Sequence, residues 1–171
     1  DNFELIKNVP ELKDYGFDKI YGTFFDIILT AIIEILLEVK NFSEIFYYRH
    51  LANHYLFIIS VVCFYFLCLN IFKNKLYSFF GSTILYSSPR IFAESFYNNK
   101  DLAFLSFFIF LLFFSIKFIK KPNYYNAFLL SIFAAIAIHV RIIAIYVSIL
   151  IALFFVIELL MKNKPHQKKI K

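Results

Sequence analysis

Ser88-Pro89-Arg90-Ile91-Phe92-Ala93-Glu94-Ser95-Phe96-Tyr97-Asn98-Asn99-Lys100-Asp101 sets an Arg, a Glu, two Asn, a Lys and an Asp between two apolar runs, Leu76 to Ser88 and Leu102 to Phe118. Composition decides what those runs are. The 171 residues are 61% hydrophobic and 22% aromatic, with 3 Gly and 4 Pro, which is more apolar surface than one soluble core buries. The expected fold is all-α, a polytopic transmembrane helical bundle of about five spans with an N-terminal amphipathic surface helix. Ionisable groups between such spans are costly and are functional candidates by default.

Outward toward the C-terminus, the run from Leu102 is closed by Lys117, Lys120 and Lys121, and Pro122 to Asn126 forms a short aromatic loop. Residues 126–161 are too long for one span, since about 36 residues would reach roughly 54 Å against a hydrocarbon core of about 30 Å. His139-Val140-Arg141 marks the expected break. A last span, Ile142 to Met161, ends in Lys162, Lys164, Lys168, Lys169 and Lys171.

Toward the N-terminus, Leu76 to Ser88 is short for a crossing, so it either continues past Pro89 with a kink or ends inside the protein. Lys73-Asn74-Lys75 separates it from a span at Leu51 to Phe72. The aromatic and basic segment Phe46 to His54 has the composition of a membrane interface, reached by a connection from Lys40 to Ile45. From Thr23 to Val39, Asp26, Thr30, Glu34 and Glu38 recur every four residues on an otherwise apolar helix, with Thr23 near its N-cap. Its acidic stripe favours packing on protein over anionic lipid. Residues 1–22 are polar and broken by Pro10, Gly16 and Gly22, as an aqueous loop would be. The organisation is therefore 1–50, an exoplasmic loop with an interfacial helix at about 23–39; 51–161, the transmembrane domain; and 162–171, a cytoplasmic basic tail. The start at Asp1, with no Met or leader, is that expected of a piece of a longer protein.

With about five crossings, the Lys-rich junctions at 73–75, 117–121 and 162–171 share one side, which the positive-inside rule makes cytoplasmic. The net charge of +6 thus records topology, and nucleic acid is not an expected partner. Cys63 and Cys68, five apart in one apolar helix, neither pair nor form a metal site. The exoplasmic face collects the N-terminal region, Arg49 with His50, the Pro89 to Asp101 loop, and His139 with Arg141.

Arg49, Arg90, Lys100 and Arg141 are cations on the side where topology disfavours them, and clustered cations suit a lipid phosphate. Asp101, Glu94 and Asp18 are candidate bases, Asp101 being kept ionised by Lys100. Asn98 and Asn99 would orient sugar hydroxyls or the carboxylate. Each residue also has a structural reading. Arg141 would satisfy helix carbonyls or pair with Glu94, and Arg49 would anchor at the interface. His50, His54 and His139 lack ligand spacing and suit structural roles. Asn98 and Asn99 would cap the helix starting near Asp101, itself a helix-start acid. A transporter or channel subunit, or a non-catalytic assembly protein, are the readings from other classes.

Tyr21-Gly22 before the amphipathic helix, Arg49-His50-Leu51, Pro89-Arg90-Ile91-Phe92 with Ser95-Phe96-Tyr97-Asn98-Asn99-Lys100-Asp101, and Arg141 after a further span together resemble multi-pass GT-C-fold glycosyltransferases. The similarity is greatest to the dolichyl-phosphate-mannose protein mannosyltransferase-like enzymes. There an Arg-His-Leu opens one helix and a Pro-Arg-x-Phe…Asn-Pro-Lys-Asp loop follows the next. The resemblance covers about residues 15–145, with Asn99 where Pro is usual. It implies a multi-pass protein of the plasma membrane, of bacterial type, with an exoplasmic site. It implies a polyprenyl-phosphate sugar as donor substrate, and a hydroxyl acceptor on protein, lipid or polysaccharide. No cofactor is expected; a divalent metal is left open. The family base lies in the first exoplasmic loop, which places it upstream of Asp1, so Asp18 need not correspond to it and this piece alone is expected to be inactive. Asp101 would be the second acid of the site, with Lys100 and Arg90 near the phosphate and Arg141 less directly transferred.

Overall fold

The computed structural model describes residues 23–37, 41–98 and 100–162. Among them every regular element is an α-helix: α1 (Thr23–Leu37), α2 (Phe42–Phe72), α3 (Lys75–Ser87), α4 (Pro89–Tyr97), α5 (Asp101–Lys120), α6 (Tyr124–Val140) and α7 (Ala144–Lys162). Asp18 and Asn99 lie outside the described residues, as do Glu38 and Val39 of the expected surface helix.

Asparagine supplies the start signal at three junctions. Asn41 caps α2 by accepting from the Ser43 amide at 3.4 Å, Asn74 caps α3 through the Leu76 amide at 2.8 Å, and Asn123 caps α6 through the Asn126 amide at 2.7 Å. Each satisfies a donor that a helix N-terminus leaves without an intrahelical partner. Lys73 ends α2 in a left-handed conformation, φ 55°, with its amide bonded to the Leu69 carbonyl at 3.0 Å.

Helices at Ser43–Phe72, Asp101–Lys120 and Ala144–Met161 are long and apolar enough to cross a membrane. The other two expected spans are shorter. α6 has 17 residues, about 26 Å of rise, and α3 has 13, about 20 Å. The apolar run of α3 does not continue through a kink. It ends at Ser87, Ser88 is extended, and Pro89 sits in the first turn of α4, where its missing amide costs nothing.

Two expectations are corrected here. The connection expected at Lys40 to Ile45 is shorter, because Asn41 caps a helix that begins at Phe42 and meets no breaker until Lys73. The interface segment Phe46–His54 therefore forms early turns of one 31-residue helix, about 46 Å long and longer than the hydrocarbon core. The stretch from Pro89 to Asp101 is not a loop: nine of its residues are α4. Pro89 at the helix start and the Arg90–Glu94 pair one turn apart favour that helix.

α5 is the axis of the bundle. In its most apolar 18-residue window 44% is buried, against 6% in α7. Ala103, Phe107, Phe110 and Leu111 of α5 form the core with Ala137 and Val140 of α6 and Ala144 of α7. α5 also packs on α2, and α2 receives α3 and α4. Small residues let helices approach: Ser78 and Ser82 on α3 are buried, and a Cβ on Gly81 would stand 3.4 Å from the Cys68 sulfur. The buried hydroxyls return to carbonyls of their own helix, Ser78 to Asn74 at 2.7 Å and Ser82 to Phe79 at 2.9 Å. Cys63 and Cys68 are free thiols. Outward faces carry Phe79, Ile84, Leu153 and Phe154, all exposed, as suits hydrocarbon solvent. α1 packs on protein, against α2 and α6, and buries Ile33.

Candidate active site

The start of α2, the whole of α4, the start of α5 and the α6–α7 junction meet at one end of the bundle, joined by side-chain bonds. The end of α2 and the end of α5 meet at the other, where Lys120 donates to Asn70 at 3.0 Å.

Asp101 opens α5, where the helix dipole favours an acid. Asn98 holds it twice: its Nδ2 donates to Asp101 Oδ2 at 2.8 Å, and its Oδ1 accepts from the Asp101 amide at 2.8 Å. Asn98 is thus both a cap and an orienting group, which joins two readings that the sequence set apart. On the other carboxylate oxygen sits Arg141, donating from its guanidinium. The pairing of Arg141 with Glu94 does not occur, because Glu94 is engaged by Arg90 Nε at 2.9 Å on its own helix. The cation bonded to Asp101 comes from the α6–α7 junction, 40 residues away.

Arg141 reaches Asp101 because the chain breaks where the length argument requires. Its amide bonds the Ala137 carbonyl at 2.9 Å to end α6, and its carbonyl accepts from Ala144 at 3.0 Å to begin the turn into α7. Its backbone is extended, φ −144° and ψ 120°, outside both helices.

Arg90 is 87% exposed at its side chain. The hydrogen bond and then the charge of Glu94 raise its pKa above the ordinary guanidinium value, so it is a permanent cation. The structure brings Asn98, Asp101 and Arg141 into direct contact and keeps Arg90 with Glu94 as a separate pair on α4. Arg49 is half-buried near the start of α2, and His139 lies exposed near the end of α6.

His50 packs edge-on against Phe46, with centroids 4.2 Å apart, and lies 6.1 Å from the Tyr97 ring. Both its ring nitrogens are buried without a hydrogen-bond partner among the described residues. Between the first turns of α2 and the end of α4 is a cleft of about 410 Å³, with walls that include Phe46, Tyr47, His50, Leu51, Phe96 and Tyr97.

Asn53, His54 and Ser95 also belong to this end and went unrecognised as site residues in the sequence. Asn53 donates to the Ser95 carbonyl at 2.9 Å, and His54 Nδ1 lies 2.7 Å from Ser95 Oγ. The available signal was an adjacent polar pair in an apolar run, where polar groups are expensive.

A family model described as dolichyl-phosphate-mannose-protein mannosyltransferase matches residues 27–170. Searches of curated proteins and of solved structures return no match. The matched stretch contains every helix that builds the Asp101 end, from α2 to α7, and it spans most of the sequence. The chain belongs to the dolichyl-phosphate-mannose-protein mannosyltransferase family.

Proposed function

We propose that this chain supplies part of the active site of an inverting glycosyltransferase that uses a polyprenyl-phosphate sugar and an exoplasmic hydroxyl acceptor on protein, lipid or polysaccharide. The observation that carries the reading is the Asp101 carboxylate, fixed at one end of an apolar bundle by Asn98 and Arg141. A carboxylate offers about four lone-pair sites, so two bonds leave acceptor capacity. The Asp101 side chain is 48% exposed, which leaves it open to a substrate hydroxyl.

In the proposed step a carboxylate takes the acceptor proton while the acceptor oxygen attacks the anomeric carbon. The bond from that carbon to the phosphate oxygen breaks, and polyprenyl phosphate leaves with the electron pair. Negative charge grows on the departing phosphate, where cations stabilise it most. Arg90 and Lys100 are assigned to that phosphate, and Asp101 acts as base or as the second acid beside one supplied elsewhere, Asp18 included. Asn98, Asn99, Glu94, Arg141, Arg49 and His50 complete the substrate-binding set. The aromatic cleft beside His50 supports this reading, being of a size for a small ligand. No metal is assigned a step.

The test is turnover of a polyprenyl-phosphate sugar by the intact enzyme in membranes. Asp101→Asn and Arg90→Ala are each expected to abolish transfer while membrane insertion is retained, and near-normal turnover in both would sink the assignment.

A further inference from the structure

Asn53 is 1% exposed within α2, one turn after Arg49 and His50 and beside His54. Its Nδ2 donates to the Ser95 carbonyl at 2.9 Å and, at the limit of bonding, to the Asn98 carbonyl at 3.5 Å. These carbonyls belong to the last turn of α4 and its cap; the Ser95 carbonyl is one that a helix C-terminus leaves without an intrahelical partner, and the Asn98 carbonyl also accepts from the Leu102 amide at 3.2 Å. His54, next along α2, grips the same turn. Ser95 Oγ donates to the Phe92 carbonyl at 2.6 Å, so it accepts from His54 Nδ1 at 2.7 Å. The His54 ring also stacks on Phe96 with centroids 4.0 Å apart.

Asn98 is the residue this grip delivers, and both ends of its side-chain amide are committed to Asp101. Asn53 Oδ1, by contrast, is buried without a hydrogen-bond partner among the described residues. Packing alone does not account for an Asn there, because an apolar side chain of similar volume would avoid that desolvation cost. The bond to α4 is what the residue supplies.

We propose that Asn53 is a positioning residue for the Asp101 carboxylate: it holds the last turn of α4, which fixes Asn98, which fixes the carboxylate against Arg141. This rests on the reading of Asp101 as a group of the active site. Asn53 itself touches no substrate.

The test measures transfer from a polyprenyl-phosphate sugar by the intact enzyme, for Asn53→Leu, Asn98→Ala and their double variant, with Asp101→Asn as reference. Asn53→Leu is expected to lower kcat about 10- to 100-fold per folded molecule, with donor KM within about twofold of wild type, as a displacement of about 1 Å in a reacting group does. The double variant is expected to lose no more than Asn98→Ala alone, because the two act in series. Wild-type kcat in folded Asn53→Leu, or losses that multiply in the double variant, overturn the proposal. An inactive Asp101→Asn beside a fully active Asn53→Leu overturns it alone. A fully active Asp101→Asn overturns the reading of Asp101, and this proposal with it. Where Asn53→Leu gives no folded enzyme, Asn53→Ser, too short to reach α4, is put through the same cycle and judged by the same outcomes.

Discussion

The two ends of the bundle handle positive charge differently. At the Asp101 end Arg141 is bonded to an acid on another helix, and Asn98 holds the same acid from the preceding turn. At the other end two described lysines meet neutral groups: Lys120 donates to Asn70 at 3.0 Å, and Lys117 lies over the Phe113 and Phe114 rings, 4.5 and 5.5 Å from their centroids. Lys73 and Lys75 are exposed. Topology needs only the presence of lysine near a span end, and any geometry serves. An arginine fixed against a carboxylate across helices exceeds that need, which is why chemistry is assigned to that end.

The largest expected effect tests this difference at its centre. Asp101→Asn should lower kcat by about 10² to 10⁴-fold, the range for loss of a general base; a folded variant within about threefold of wild type would leave the two ends equivalent. After the losses expected of Asp101→Asn and Arg90→Ala comes Arg141→Ala, expected to cost about 10- to 100-fold in turnover. Because the pair is nearly half exposed, at 46% and 48%, its loss should change stability by less than about 1 kcal/mol. Arg141→Lys should recover only part of the rate, since an ammonium lacks the planar fork. A melt that drops with the rate would make the pair a structural strut. At the opposite end, Asn74→Ala removes the cap of α3 and should cost about 1 kcal/mol in a detergent melt with kcat unchanged. The smallest effect is Lys120→Ala, within about 0.5 kcal/mol and without effect on turnover. A turnover loss there as large as that of Arg141→Ala would break the comparison.

Much of the fold could be read from the sequence because its punctuation is local. Lys73-Asn74-Lys75, Pro122-Asn123 and the overlong run from 126 to 161 each mark a helix boundary; length requires a break in that run, and the polar His139-Val140-Arg141 places it. What escaped was of two kinds. Nine residues of the polar stretch between the two apolar runs, expected as loop, form α4; Pro89 at its start and the Arg90–Glu94 pair favour the helix. The partner of Arg141 escaped because it depends on which way α6 returns along α5, a matter of packing over 40 residues. Asn53 and His54 look like interface decoration until α4 is laid across them, and then their bonds to Ser95 are evident.

Arg141 carries a mechanical consequence. Its amide closes α6, its carbonyl starts the turn into α7, and its side chain is bonded to the first residue of α5. A tilt of the α6–α7 hairpin therefore cannot occur without tugging on the Asp101 carboxylate or letting it go. α7 is the helix with the least of its surface covered within this chain, 6% of its most apolar window against 44% in α5. Whatever packs on α7 thus has a lever arm onto a single oxygen atom.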